Sequence, residues 1–189
     1  MQKLLIGSLV GGLIIFIWSF LSWTALGLHK SQTQYTENQG EIIEFLSGKL
    51  EEGSYFVPQA GPDATPEEYE EYALNMEGQP WALIHYKPSF STNAGSNMFR
   101  GFMMAFLSVT WLCWLLMKIP GLDLKNTVLA CLAVGMIGYM TGKYSEGIWF
   151  ELHTLPDLID VLVVWTLVGL WLGWWLNRGK DKAPEEVPA

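Results

Sequence analysis

The chain has 189 residues, of which 50% are hydrophobic and ten are tryptophan, and its formal net charge is −8. The hydrophobic residues stand in long blocks, which is typical of membrane proteins and excludes an ordinary soluble domain. The negative charge is local, because residues 31–99 contain eleven acidic residues and two lysines. A segment this acidic argues against nucleic acid as a partner.

The hydrophobic blocks predict four transmembrane helices, because a bilayer core needs roughly 20 predominantly apolar residues to cross it. The predicted spans cover residues 4–28, 98–119, 126–142 and 157–177. Between and after them lie an acidic extracytoplasmic domain, an outer loop and a cytoplasmic tail, at residues 29–97, 143–156 and 178–189. The fold class is therefore mainly α, a four-helix transmembrane bundle with a small domain between helices 1 and 2.

The distribution of lysine and arginine predicts that both termini are cytoplasmic. Six of these residues fall on one side of the predicted topology: Lys3, Lys118, Lys125, Arg178, Lys180 and Lys182. The other side has Lys30, Arg100 and Lys143. In a bacterium this arrangement would place the protein in the inner membrane with its acidic domain in the periplasm. Residues 182–189, rich in proline and glutamate, predict a disordered end.

The sequence of the acidic domain predicts an α-β-α-β unit. Residues 37–50 have a helical apolar face, residues 54–57 and 81–86 predict strands, and Thr65-Pro66-Glu67-Glu68 predicts a capped helix start. The domain has no disulfide, since Cys113 and Cys131 both fall inside spans. At about 60 residues it is near the lower limit for an independent core. We therefore expect it to be stabilised by contact with the membrane, with the loop before the last span, or with a partner subunit.

Three histidines fall on the predicted outer side: His29, His85 and His153, the last with Glu151 nearby. Histidine together with carboxylates suits Zn²⁺. No local metal-ligand spacing is present, however, so interfacial histidines are favoured over a metal site and no cofactor is predicted. The chain also lacks a phosphate-binding loop, a nucleophile elbow and a haem or zinc-protease motif, so an enzyme is not favoured.

Asp160 is a carboxylate inside the last predicted span, where it is costly unless it is paired or hydrated. Arg100 lies at a comparable depth in the second span, which predicts an ion pair between Arg100 and Asp160. The alternative is a helix-start carboxylate that reaches the headgroup layer, helped by the helix dipole. Asp157 would share its face at a spacing of three residues.

Each span also contains two small residues four positions apart, a spacing that allows helix backbones to approach closely in lipid. These residues are Gly7, Gly11, Gly101, Ala105, Gly138, Gly142, Gly169 and Gly173. The pattern predicts a compact bundle or packing against another membrane protein.

Several short motifs resemble those of a group of uncharacterised bacterial four-pass inner-membrane proteins. They are Trp18-Ser19-Phe20-Leu21-Ser22-Trp23 with Leu28-His29, Gly53-x-Tyr55-Phe56-x-Pro58, and Pro156-Asp157 with Asp160, Trp165 and Gly169. The resemblance implies the same general layout in a bacterial inner membrane, and it implies no activity.

Two functional hypotheses follow. The first is a non-catalytic accessory, assembly or scaffolding subunit of a larger inner-membrane complex, with membrane lipid and other membrane-protein subunits as partners. The second is a protein that handles a small solute, an ion or a proton. It would use Asp160, Asp157, His153 and Arg100 at the outer face.

Overall fold

The computed structural model describes residues 1–178, and it is mainly helical. Among these residues, four helices are long and apolar enough to cross a membrane. They are Gln2–Ala25, Ala94–Leu116, Leu124–Phe150 and Leu155–Asn177. The predicted mainly α fold with four candidate spans is thereby confirmed. The predicted tail beyond residue 178, with Lys180, Lys182 and the disorder expected over 182–189, lies outside the described residues.

The first span begins as α1, Gln2–Phe20, and continues without a break as a π-helical turn, Leu21–Ala25. Gly27 then adopts φ +60°, a left-handed conformation that glycine tolerates and other residues rarely adopt. A short 3₁₀ turn, Leu28–Ser31, follows it and carries His29. The left-handed glycine therefore redirects the chain at the end of the span.

The third span is longer than the sequence predicts. It runs as α5, Leu124–Tyr139, a π-helical turn, Met140–Tyr144, and α6, Ser145–Phe150. Part of the expected outer loop over 143–156 is therefore helix. Lys143 and Glu146 form an exposed pair three residues apart, with Nζ and Oε2 separated by 3.0 Å. A helix accommodates such a pair readily.

The spans pack through α1 and α7, Leu155–Asn177. α1 contacts both α7 and α4, Ala94–Leu116, while α5 packs on α7. Glycines allow the closest approaches, because a Cβ on Gly12 would lie 2.9 Å from Phe106 Cα, and one on Gly169 would lie 2.8 Å from Val128 Cα. The buried apolar core consists of Val109, Leu112, Cys113, Leu116, Cys131, Val164, Val168 and Leu172.

The predicted packing residues divide into two groups. Five of them lie in buried or close helix contacts: Gly7, Gly11, Ala105, Gly169 and Gly173. At the other three, a Cβ added to the glycine would meet no described residue within 4 Å: Gly101, Gly138 and Gly142. Gly12 and Gly135 make close contacts as well. The spacing of small residues identifies a helix face, but it does not say whether another helix covers that face.

Residues 35–92 form a second compact unit. Its elements are α2, Gln39–Ser47; β1, Gly53–Val57; α3, Pro66–Met76; and β2, Ala82–Tyr86, in the predicted α-β-α-β order. The strands pair antiparallel, from Gly53 opposite Tyr86 to Val57 opposite Ala82. The predicted capping box starts α3, since Thr65 Oγ1 accepts from the Glu68 amide and Glu68 Oε2 accepts from the Thr65 amide.

Alanine substitutions at two glycines test the helix contacts. We expect Gly169→Ala to lower the free energy of unfolding by about 1–3 kcal/mol, because its Cβ meets the backbone of α5. Gly138→Ala, the matched control, should be neutral or slightly stabilising, since its Cβ meets open space. Cys113 and Cys131 are both buried, so their reaction with a thiol-specific dye on heating in detergent reports unfolding. Equal unfolding temperatures for the two variants would contradict the packing described.

Candidate functional site

The two ends of the spans carry different polar groups. At one end, which we call the Lys3 end, Lys3 Nζ donates to the carbonyls of Leu176 and Arg178, at 3.5 and 3.2 Å. At the other, the His29 end, the last turns of α1 meet the first turns of α7. A polar network is built there from Trp18, Ser22, His29, Gln32, His153, Asp157 and Asp160. We call it the His29 network.

Asp160 is the centre of the His29 network. Its Oδ1 accepts hydrogen bonds from Trp18 Nε1 at 2.9 Å and from Ser22 Oγ at 2.6 Å. Trp18 and Ser22 are four residues apart, so they lie on the same face of the first span. Asp160 Oδ2 lies 2.9 Å from His29 Nε2. All of these partners come from residues 18–29, so the carboxylate joins the end of the first span to the start of the fourth.

The hydrogen bonds around Gln32 determine how His29 is protonated. Gln32 Nε2 donates to the His153 carbonyl at 3.0 Å and to Asp157 Oδ2 at 2.6 Å. Gln32 Oε1 is therefore the atom that faces His29, and His29 Nδ1 donates to it at 2.7 Å. With Asp160 ionised, His29 Nε2 donates as well, and an imidazole that donates from both nitrogens is an imidazolium. The geometry thus favours an ion pair between a protonated His29 and an ionised Asp160.

The pKa of His29 follows from the same surroundings. Burial by itself lowers that pKa, since the side chain is only 3% exposed. The hydrogen bonds to Gln32 and Asp160, and the charges of Asp160 and Asp157, outweigh burial and raise the pKa of His29 above its ordinary value of 6.5. The Trp23 ring also stacks on His29, with centroids 4.1 Å apart and planes at 3°, an arrangement that favours a cation.

Ser22, His29 and Asp160 have the geometry neither of a catalytic triad nor of a metal site. In a serine–histidine–aspartate triad the histidine accepts the serine proton, but here Ser22 donates to the carboxylate. Both nitrogens of His29 are engaged, so neither is available as a metal ligand. Residues 1–178 contain no group of three His, Cys, Asp or Glu side chains placed to hold a metal ion.

The remaining metal candidates have other neighbours. His85 Nδ1 is paired with Ser54 Oγ across the sheet at 2.8 Å, and His153 Nδ1 lies 3.3 Å from Ser31 Oγ. Glu151 adopts φ +51° at the C-terminal end of α6, where the chain reverses toward α7. Among the described residues, these three side chains therefore lie in separate local environments and do not converge on one site.

The expected ion pair between Arg100 and Asp160 is replaced by the pair of His29 and Asp160. Arg100 is exposed on α4 and forms no ion pair with any described residue. The reason is the helix arrangement: α4 packs on α1, and α1 lies against α7. Similar depth in the membrane therefore does not bring Arg100 and Asp160 together.

Sequence reasoning placed His29, His153, Asp157 and Asp160 at one membrane face, and the structure brings these four into one network. The sequence alone did not identify Trp18, Ser22 or Gln32 as members of this network. The sequence did contain a pattern that could have predicted two of these partners, because Trp18 and Ser22 are hydrogen-bond donors one helical turn apart near the same end of the first span. Their direction toward α7 required the packing of the helices.

No protein-family model, curated protein or solved structure matches this chain. The resemblance to uncharacterised bacterial inner-membrane proteins therefore stays a prediction, and the chemistry of the site rests on its own geometry.

The raised pKa of His29 predicts a pH dependence of stability. A group whose pKa is raised on folding stabilises the fold fully below its unfolded value of 6.5, and this contribution disappears as the pH rises through the folded value. We expect Asp160→Asn to lower the free energy of unfolding by roughly 1–3 kcal/mol at about pH 6, and by clearly less at about pH 9. Thermal unfolding in detergent, followed by circular dichroism, measures both differences.

Asp157→Asn is the matched control, because Asp157 is bonded to Gln32 and not to His29, and its charge raises the pKa of His29 less than Asp160 does. This variant should retain most of the pH dependence of the unmodified protein. If Asp160→Asn left the pH dependence unchanged, the proton responsible would belong to a group other than His29.

Proposed function

We propose that this chain is a non-catalytic accessory or assembly subunit of a larger complex in a bacterial inner membrane. The observation that carries the proposal is the surface of residues 35–92. Within this range, which the structure describes completely, Tyr86 is the only buried residue. Large apolar side chains stay exposed instead, among them Ile43 (58%), Phe45 (67%), Leu74 (67%) and Phe90 (95%).

A unit of about 60 residues has little apolar surface to bury within itself, and such units usually need further support. Apolar surface left in water costs free energy in proportion to its area. A partner protein that covers this surface would complete the core that residues 35–92 lack.

The spans offer a second, weaker argument for a partner. Gly101, Gly138 and Gly142 have no neighbour within 4 Å of a Cβ position among the described residues. Small residues on an uncovered helix face permit another membrane helix to approach closely.

The orientation proposed for the complex places both termini in the cytoplasm. Lys3, Lys118, Lys125 and Arg178 support this side for the Lys3 end, because basic residues near span ends are enriched on the cytoplasmic side. Residues 35–92 would then face the periplasm, where partner subunits with periplasmic segments are accessible.

Proton or ion handling is a second candidate, favoured by the pair of His29 and Asp160. The pair can hold and release one proton at the His29 end. Conduction across the membrane would need further polar steps, yet residues 4–28, 101–117, 126–142 and 161–177 contain no Asp, Glu, Lys, Arg or His. The interior between the two ends is instead apolar. The pair therefore supports a local proton site better than a transport pathway.

Purification from native membranes distinguishes the two functions. The tagged chain would be produced at its natural level, cross-linked in intact cells, extracted in mild detergent and examined by mass spectrometry. The accessory function predicts a membrane protein present in a fixed ratio to the chain and absent from an unrelated tagged four-span control. Recovery of the chain alone, or only as copies of itself, would contradict it.

A further inference from the structure

A cleft opens within residues 35–92, between α3 and the two-stranded sheet. Tyr69, Tyr72 and Met76 line it from α3, where their spacing places them on one helical face. Phe56 of β1 and Trp81, just before β2, line the opposite side, and their rings stack with centroids 5.4 Å apart. The cleft encloses about 470 Å³, which is enough for bulky apolar side chains.

One lip of the cleft combines apolar and acidic groups. Glu70, Leu74 and Glu77 follow one another at helical spacing and all three line the cleft. Leu74 is 67% exposed, so its side chain is available to a ligand without any rearrangement of the unit. Glu70 and Glu77 are exposed on either side of it. An apolar contact flanked by two carboxylates is therefore presented at the mouth of the cleft.

Residues 35–92 as a whole are negatively charged, as are Glu70 and Glu77 at the lip of the cleft. Residues 35–92 contain eleven acidic residues and two lysines, a net charge of −9. A field of this sign attracts cations and repels anionic lipid and nucleic acid. The surface is thus complementary to a ligand that is both apolar and positively charged.

We infer that the cleft binds a segment of a partner protein in which aromatic or aliphatic anchor residues are flanked by lysine or arginine. The anchors would enter between Tyr72 and Trp81, and the flanking cations would meet Glu70 and Glu77. Buried aromatic and aliphatic anchors supply most of the affinity in such interfaces, while rim charges set specificity and the rate of association. This inference rests on the proposed accessory function and names the chemistry of its partner.

Binding of designed peptides tests the inference. The probe is a short fluorescent peptide with leucine and tryptophan at its centre and lysine on both sides. One control peptide carries glutamate in place of lysine, and a second carries serine in place of the leucine and tryptophan. The full chain is used in nanodiscs of zwitterionic lipid, and empty nanodiscs give the background. We expect the probe alone to bind, with an affinity that falls as salt is added.

Two pairs of matched variants locate the site. Leu74→Ser should weaken binding of the probe about tenfold through the loss of apolar contact. Phe45→Ser on α2 is its control, because Phe45 is equally exposed at 67% and does not line the cleft. Glu77→Lys should weaken binding about three- to tenfold, and Glu44→Lys, which makes the same change of charge away from the cleft, should weaken it less.

The outcomes separate this inference from the function on which it rests. Tight binding of the serine control, equal losses in both members of a pair, or binding to empty nanodiscs would overturn the cleft as the site. The cleft would also be overturned as the site if the chain that carries both Leu74→Ser and Glu77→Lys still recovered its partner undiminished from native membranes. The accessory function would then still stand. If no partner is recovered with the unmodified chain either, the accessory function itself fails.

Discussion

A carboxylate inside a membrane-spanning helix has to be paired or hydrated, and the packing of the helical unit satisfies this requirement for Asp160. Trp18 and Ser22 donate to one oxygen of the carboxylate and His29 meets the other. The left-handed φ of Gly27 allows the chain to turn so that His29 reaches α7 after the first span has ended. This ionic contact thereby links two spans that are far apart in sequence and that also pack against each other along their length.

The rest of the helical unit is held by close packing between apolar surfaces. Gly12 and Gly169 bring neighbouring helix backbones near to one another, and the core between them consists of aliphatic side chains and two thiols. In lipid, such packing is the main force between helices, because burying apolar surface gains little there. Residues 35–92 differ, since many of their large apolar side chains are exposed and only Tyr86 is buried.

Much of this architecture could be predicted from the sequence. Continuous apolar blocks identified four spans, and the cap at Thr65 and the pattern before Pro58 located the elements of residues 35–92 in the right order. What could not be predicted depends on the direction of side chains around each helix. Asp160 was expected to pair with Arg100 because both lie at a similar depth, but the first span supplies the donors that reach Asp160, and Arg100 stays exposed. The same limit applies to Gly138 and Gly142, whose spacing indicates a packing face that no described residue covers.

Double-mutant cycles test the central claim, that His29 is the ionic partner of Asp160. One cycle combines His29→Gln with Asp160→Asn, and the other combines Arg100→Gln with Asp160→Asn, with unfolding measured in detergent at about pH 6. We predict a coupling of about 1–3 kcal/mol between His29 and Asp160, and additive effects within about 0.5 kcal/mol for Arg100 and Asp160. Additive effects for His29 together with a clear coupling for Arg100 would contradict the arrangement of the spans described here.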